Sequence, residues 1–357
     1  MEFGSSGQLR GPWTVVTAVA AALSLVAGGA MAGSWLASRT EKSAPARAER
    51  APTARPLVGV FRGTDESNVV SYAQWLGRPV DLVVDFSARD TWEQIAKPDY
   101  LLSHWQGGGR GLVLGVPMLP ERDDSATIAR GAAGDYDQHF QALARRLVAT
   151  GHPDAVLRVG WEFNTANSRW GTPDADAFRA YWRRIAKAMR SVQGQRFALD
   201  WNVNNGDGNR YDAVGYYPGD DVVDYVGVDA YDQSGRAGTY PYPQDCDDGC
   251  RSQRQRAAWD EQIYGGSRGL KFWAQFAAKH GRLLSVPEWG LWSRSDGTGG
   301  GDNPFYIERM VEFFGERSNA VAYQAYFEFD GDDGQHSLMG AFARSGDLYR
   351  WLVRRRS

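Results

Sequence analysis

Eight short apolar runs, separated by longer helical stretches, predict an α/β chain folded as a (β/α)8 TIM barrel. Two further observations point the same way. The runs are apolar along most of their length instead of alternating, which marks strands buried on both faces of a parallel sheet. Residues 57–357 number 301, in keeping with a barrel of about 250 residues plus insertions. A doubly wound open sheet is the alternative. It loses its main support because Gly63-Thr64-Asp65-Glu66, after the first run, lacks the glycines of a phosphate-binding loop. No internal repeat is visible.

In chain order the strands are read at 57–61, 80–86, 111–118, 155–160, 196–202, 223–230, 282–287 and 321–327, each rich in Val, Leu, Ile or aromatic residues. Amphipathic helices are read at 68–76, 91–102, 135–150, 174–192, 254–280 with a break at Gly265-Gly266, and 304–317. Asp135-Tyr136-Asp137 and Pro173-Asp174 place acidic residues in a first helical turn, where they favour helix starts. The stretch after Asn202 reads as a loop with a weak helix.

The beginning of the chain differs from this pattern. Trp13 to Leu36 carries no charge and is long enough to span a hydrocarbon core. Ala30-Met31-Ala32 before Gly33 has the small-x-small form of a cleavage site. Residues 1–37 are therefore a signal peptide or a membrane anchor, with the signal peptide preferred, and 38–56, dominated by Ala, Pro, Arg and Glu, form an unstructured tether. A single catalytic domain, 57–357, is expected outside the cytoplasm, secreted or at the cell surface, touching the membrane only through an uncleaved N-terminal segment. Cys246 and Cys250 fit that compartment as a small loop disulfide in a polar segment. Zinc is the rival, but two further ligands are missing nearby, and the five histidines are scattered, so no metal site is expected.

A net charge of −3 with no basic stripe argues against nucleic acid as a partner. Aromatic residues make up 13% of the chain, including 14 Trp, enough to supply sugar-stacking faces beyond an ordinary core.

The active site of such a barrel lies at the C-terminal ends of its strands. Here those ends carry Arg62, Asp85, Pro120, Glu162 with Asn164, Asn202 with Asn204, Asp229 with Tyr231, Glu288 with Trp289, and Glu328 with Asp330. Glu162 ends the fourth strand and Glu288 the seventh, so the two enter one mouth from opposite sides although 126 residues apart. Facing carboxylates are what glycoside hydrolysis requires, one to protonate the leaving oxygen and one to attack the anomeric carbon or activate water. Trp161 and Phe163 beside Glu162 would raise its pKa toward that of a proton donor.

Glutamates ending strands four and seven mark a large clan of retaining glycosidases, and within it the chain resembles glycoside hydrolase family 26, best known for β-mannanases. The residues carrying the resemblance are Arg158, Glu162, Asn164 and Trp170-Gly171 on the fourth strand and its loop, Asp229-Ala230-Tyr231 on the sixth, and Glu288-Trp289-Gly290 on the seventh. They lie within a resemblance running from Leu57 to about Tyr349. It implies that Glu162 is the acid/base and Glu288 the nucleophile; the local chemistry agrees, since Tyr231 can donate a hydrogen bond to Glu288, and no cofactor is needed. Arg62, Asp85, Trp161, Asn164, Trp170, Asn202, Asp229, Tyr231, Trp289, Trp292 and Glu328 are the candidate substrate contacts, with Glu328 the spare carboxylate.

The family carries His immediately before its acid/base, where this chain has Trp161. A monomeric retaining endo-β-glycanase acting on a β-1,4-mannan is expected, with mixed-linkage glucan, xylan and the producer's own envelope polysaccharide left open as alternative substrates by that departure. An envelope carbohydrate-binding protein without catalysis is the second reading.

Overall fold

The computed structural model describes residues 55–107 and 109–355. The N-terminal hydrophobic segment and residues 38–54 of the tether lie outside the described residues, within which no helix is long and apolar enough to cross a membrane.

Eight parallel strands close into a barrel in sequence order: β1 (Leu57–Phe61), β2 (Leu82–Phe86), β3 (Gly111–Val116), β4 (Val156–Val159), β5 (Ala198–Asn204), β6 (Tyr225–Tyr231), β7 (Leu283–Gly290) and β8 (Val321–Phe327). Side chains alternate across each strand. One phase meets inside the barrel, where Leu82, Val84, Val113, Ala198, Tyr225, Tyr323 and Ala325 form a compact buried cluster. The other phase, including Val83, Leu114, Leu157, Leu199, Val226 and Leu284, packs outward under the helices in a far larger cluster. That phase decides whether a strand-end residue faces the mouth or the helical layer.

The helices are α1 (Glu66–Leu76), α2 (Trp92–Ala96), α3 (Asp99–Trp105), α4 (Ile128–Ala133), α5 (Asp137–Ala149), α6 (Ala175–Arg190), α7 (Asp248–Ala258), α8 (Leu270–Lys279), α9 (Pro304–Gly315) and α10 (Ala343–Arg355). Asp174 caps α6 as expected, its side chain accepting from Ala177 N at 2.9 Å. Three features depart from the sequence reading. Both α4 and α10 are helical where none was expected. And α7 starts at Asp248, so Cys246 and Cys250, bonded with Cα atoms 5.3 Å apart, straddle a helix start capped by Asp247 instead of closing a plain loop. The predicted helix 254–280 is divided between α7 and α8 by a π-helical turn at Trp259–Ile263 and the Gly265-Gly266 break.

The tryptophan content turns out to be largely structural. Trp182, Trp201, Trp273 and Trp289 are among the largest fully buried side chains, and Trp105, Trp161, Trp170 and Trp259 are buried too.

Candidate active site

β4 ends at Val159, so Glu162 sits in the turn beyond the strand and not at its last position. Its φ of 49° lies in the left-handed region, which is costly for a residue with a side chain. The neighbouring strand β5 holds it there. Glu162 N donates to Asn202 O at 3.2 Å, and Asn204 Nδ2 donates to Glu162 Oε1 at 2.6 Å. Asn164 fastens the same turn to β5, donating to Asn204 O and accepting from Asn204 N, both at 2.9 Å.

Glu288 reaches the mouth by a different device. Ser285 points inward, so regular alternation would send Glu288 outward and Trp289 inward. Between Val286 and Trp289, however, β7 takes three steps while β8 takes two from Gln324 to Tyr326, and an extra β7 residue also appears opposite β6. This bulge contains Pro287, which has no N–H to give the ladder. Alternation is reset there, turning Glu288 into the barrel and Trp289 into the helical layer.

Below the glutamates lies Arg158, fully buried on β4. Its Nη2 donates to Asp229 Oδ2 at 2.5 Å and Asn202 Oδ1 at 2.9 Å, and both Nη atoms reach Glu288 Oε2 at 3.3 Å. Asn202 in turn donates to Asp229 Oδ1 at 3.0 Å. The other Glu288 oxygen accepts from Tyr231 OH at 2.6 Å.

The two carboxyl groups are therefore held in different ways. Burial, reinforced by the Glu288 charge, pushes Glu162 up to about 7, against the Asn204 hydrogen bond and the pull of Arg158. Glu288 is instead addressed on both oxygens by donors. Burial pushes Asp229 upward as well, against the attraction of Arg158.

Several sequence-predicted contacts prove to be structural. Asp85 lies on the outward phase of β2 and is buried against α3, accepting from Trp105 Nε1 at 2.7 Å, Phe86 N at 2.8 Å and Thr64 Oγ1 at 3.1 Å. Trp289 is fully buried among Tyr306, Phe314, Tyr326 and Tyr349 and has no face for a sugar. Trp170 is buried against Trp161 and donates to its carbonyl at 2.8 Å. Glu328 accepts from Ser337 Oγ, Leu338 N and Met339 N, which makes it the anchor of the loop after β8. Asn164, Asn202 and Asp229 are likewise buried, supporting the glutamates from behind and below.

Trp161 is nearly covered by Phe86, Trp170 and the Arg89 guanidinium, and it leaves Glu162 partly exposed. Arg62 stands at the rim, bonded to Asn68 O at 2.8 Å. Trp292 is half-buried beside Tyr231, 5.0 Å between ring centres, with the Arg294 guanidinium on its ring.

Three phenylalanines missed by the sequence reading complete the mouth. Phe327, Phe61 and Phe86 end β8, β1 and β2 on the inward phase and are half-buried. Phe61 stacks on Phe327 at 4.8 Å and meets Phe86 edge-on at 5.2 Å, and the 44% exposed Phe329 extends this wall outward. The signal available was their inward phase at the strand ends, where Asp85 and Glu328 had drawn attention.

Fold and site together define a (β/α)8 barrel whose mouth holds the two glutamates, Glu162 and Glu288. Residues 145–243 match the model of glycosyl hydrolase family 26. A mannan endo-1,4-beta-mannosidase of Bifidobacterium adolescentis is 25% identical over 280 residues, covering 69% of this chain, which spans about a quarter (25%) of that relative's length. Among solved structures, a Cellulomonas fimi endo-beta-1,4-mannanase double mutant superposes with a TM-score of 0.55 at 16% identity, covering 84% of this chain and 71% of that one. The catalytic domain of a Bacillus sp. JAMB-750 GH26 endo-beta-1,4-mannanase gives 0.55 at 16% identity, covering 83% and 86%. These superpositions agree with the fold. The chain is glycoside hydrolase family 26-like.

Proposed function

We propose that this chain is a retaining endo-β-glycanase acting on a β-1,4-mannan. Glu288 attacks the anomeric carbon and forms a glycosyl-enzyme bond while Glu162 gives its proton to the departing glycosidic oxygen. Glu162, now a carboxylate, takes a proton from water as that water attacks the same carbon and frees Glu288. The observation that carries this reading is the unequal treatment of the pair. Glu162 is raised to about 7, which leaves a proton to donate near neutral pH, whereas Glu288 is oriented by Arg158 and Tyr231.

Mannan is favoured over acidic glycans because five arginines of the barrel-end loops are matched by carboxylates, while Arg62, Arg169 and Arg210 donate to backbone carbonyls. Arg89 pairs with Glu121, Arg122 with Asp90, Arg236 with Asp207, Arg268 with Asp212 and Arg294 with Asp296. No uncompensated basic groove is left among these pairs to select uronic acids. The name of the bifidobacterial relative supports the same sugar. Catalysis is preferred to simple binding because Trp161 packs aside from Glu162. In this proposal the protein works as a monomer outside the cytoplasm, delivered there by residues 1–37.

The test is reducing-end release from a panel of β-mannan, mixed-linkage glucan, xylan and envelope glycans, with NMR of the first-formed anomer. Rapid hydrolysis of mannan with retention is expected. Inversion would remove the double displacement, and preference for another glycan would remove mannan.

A further inference from the structure

One buried carboxylate has no part in the chemistry above. Asp200 lies on β5 inside the barrel, fully buried, one inward position below Asn202. Its Oδ2 accepts from Ser285 Oγ of β7 at 2.6 Å and from Tyr323 OH of β8, so donors reach it from across the barrel. Gly227 on β6 makes the room. A Cβ there would lie 2.1 Å from Asp200 Oδ1.

Asp200 is the register neighbour of Arg158 in the β4–β5 pair. Arg158 spends its Nη atoms on Asn202, Asp229 and Glu288, while its buried Nε has no hydrogen-bond partner among the described residues. Asp200 Oδ1 is buried and unpartnered in the same sense. A buried donor on a guanidinium and a buried acceptor on a carboxylate thus occupy neighbouring inward positions. Leaving either without compensation is costly, and in such a medium opposite charges interact at longer range than in water.

We propose that Asp200 is a positioning residue for the glutamate pair, acting through Arg158: its carboxylate is the lower anchor that shares this buried guanidinium with Asp229 and Glu288. The inference rests on the glycosidase reading for its catalytic consequence but not for its electrostatics. The groups facing Asp200 are Arg158 on β4, Asp224 before β6, Tyr225 and Asp229 on β6, Ser285 on β7 and Tyr323 on β8.

Burial pushes Asp200 up to about 6, against its two hydroxyl donors and Arg158. Near neutral pH it therefore carries charge and draws on the Arg158 field that would otherwise ease ionisation of Glu162. Removing that charge makes Glu162 lose its proton at lower pH.

The experiment follows the titration of the Glu162 carboxyl resonance in the isotope-labelled full-length chain, assigned by its absence in Glu162→Gln. Asp200→Asn keeps the shape and an acceptor but not the charge, and should lower the Glu162 midpoint by about 0.5 pH unit or more. The alkaline limb of kcat should move with it at unchanged KM. Tyr323→Phe removes one brace and leaves the carboxylate in place, so it should shift the midpoint in the same direction by less. It also provides the readout if Asp200→Asn does not fold. A Glu162 midpoint equal to wild type in the folded variants, with only thermal stability altered, would overturn the proposal. A shifted midpoint in a chain that hydrolyses no glycan would sustain it and refute the glycosidase reading instead.

Discussion

The two halves of the barrel mouth are built from different materials. From β4 to β7 the mouth carries Glu162 in the turn after β4 and Asn204, Tyr231 and Glu288 at the inward strand ends, resting on Arg158, Asn202 and Asp229. From β8 through β1 to β2 they carry Phe327, Phe61 and Phe86. A buried charge needs partners, and the polar half supplies them in a continuous hydrogen-bonded set. The aromatic half needs none and presents flat apolar faces of the kind on which a sugar's C–H face can stack. In the proposed reaction, bond breaking falls to one half and substrate support to the other. Loss of a residue should therefore affect rate on the first side and affinity on the second.

The largest effect is expected at Glu288. Glu288→Ala should lower kcat by about 1,000-fold or more while leaving the thermal unfolding midpoint near wild type. A variant retaining most of its activity would dissolve the proposed division. Next comes Glu162, where Glu162→Gln should cost about 100-fold to 10,000-fold in kcat on natural linkages, the span associated with general acid–base catalysis. In the wild type, activity should decline on the alkaline side through about pH 7, where Glu162 loses its proton.

The same raised value has a consequence for stability. Because the folded protein holds the Glu162 proton more tightly than the unfolded chain, this contribution is complete below about pH 4.5 and is lost as pH rises through about 7. Glu162→Gln removes that dependence. It should therefore lose less stability than wild type between pH 5 and pH 8, by about 3 kcal/mol at most. Denaturant titrations at the two pH values measure the difference.

On the aromatic side Phe327→Ala should raise KM by about tenfold with a smaller change in kcat, in line with the energy of one ring contact. A pure kcat loss would show that this half also takes part in the chemistry. The smallest catalytic effect is expected at Asp85, which serves the helical layer. Asp85→Asn should cost about 1–3 kcal/mol of stability through its bond to Trp105 and leave activity per folded molecule unchanged.

Asp85 and Glu288 also show how far the site could be read in advance. Both are carboxylates at the ends of apolar runs, and the sequence reading aimed both into the mouth, Glu288 as nucleophile and Asp85 as a substrate contact. Regular alternation on β2 turns Asp85 outward beneath α3, whereas the bulge at Pro287 turns Glu288 inward. The barrel itself was legible because strand and helix periods differ and because eight buried runs leave few other architectures. Strand phase was harder to read, since strands apolar on both faces hide which residues point inward. A proline inside β7 was the one local sign of the reset. Burial of single tryptophans was hidden for a related reason: Trp289 directly follows Glu288 and Trp170 lies in the loop after Glu162, yet both are buried. The α10 helix escaped notice because four arginines obscure the buried face formed by Tyr349 and Val353.

The division of labour can be tested most directly by trapping the glycosyl-enzyme. A mannoside with fluorine at C2 and an activated leaving group slows breakdown of the intermediate more than its formation. Mass spectrometry of the digested protein should then find the sugar on the peptide containing Glu288, with no label in Glu288→Ala. A label on Glu162 or Glu328, or fast turnover with no covalent adduct, would contradict the assignment of Glu288 as nucleophile.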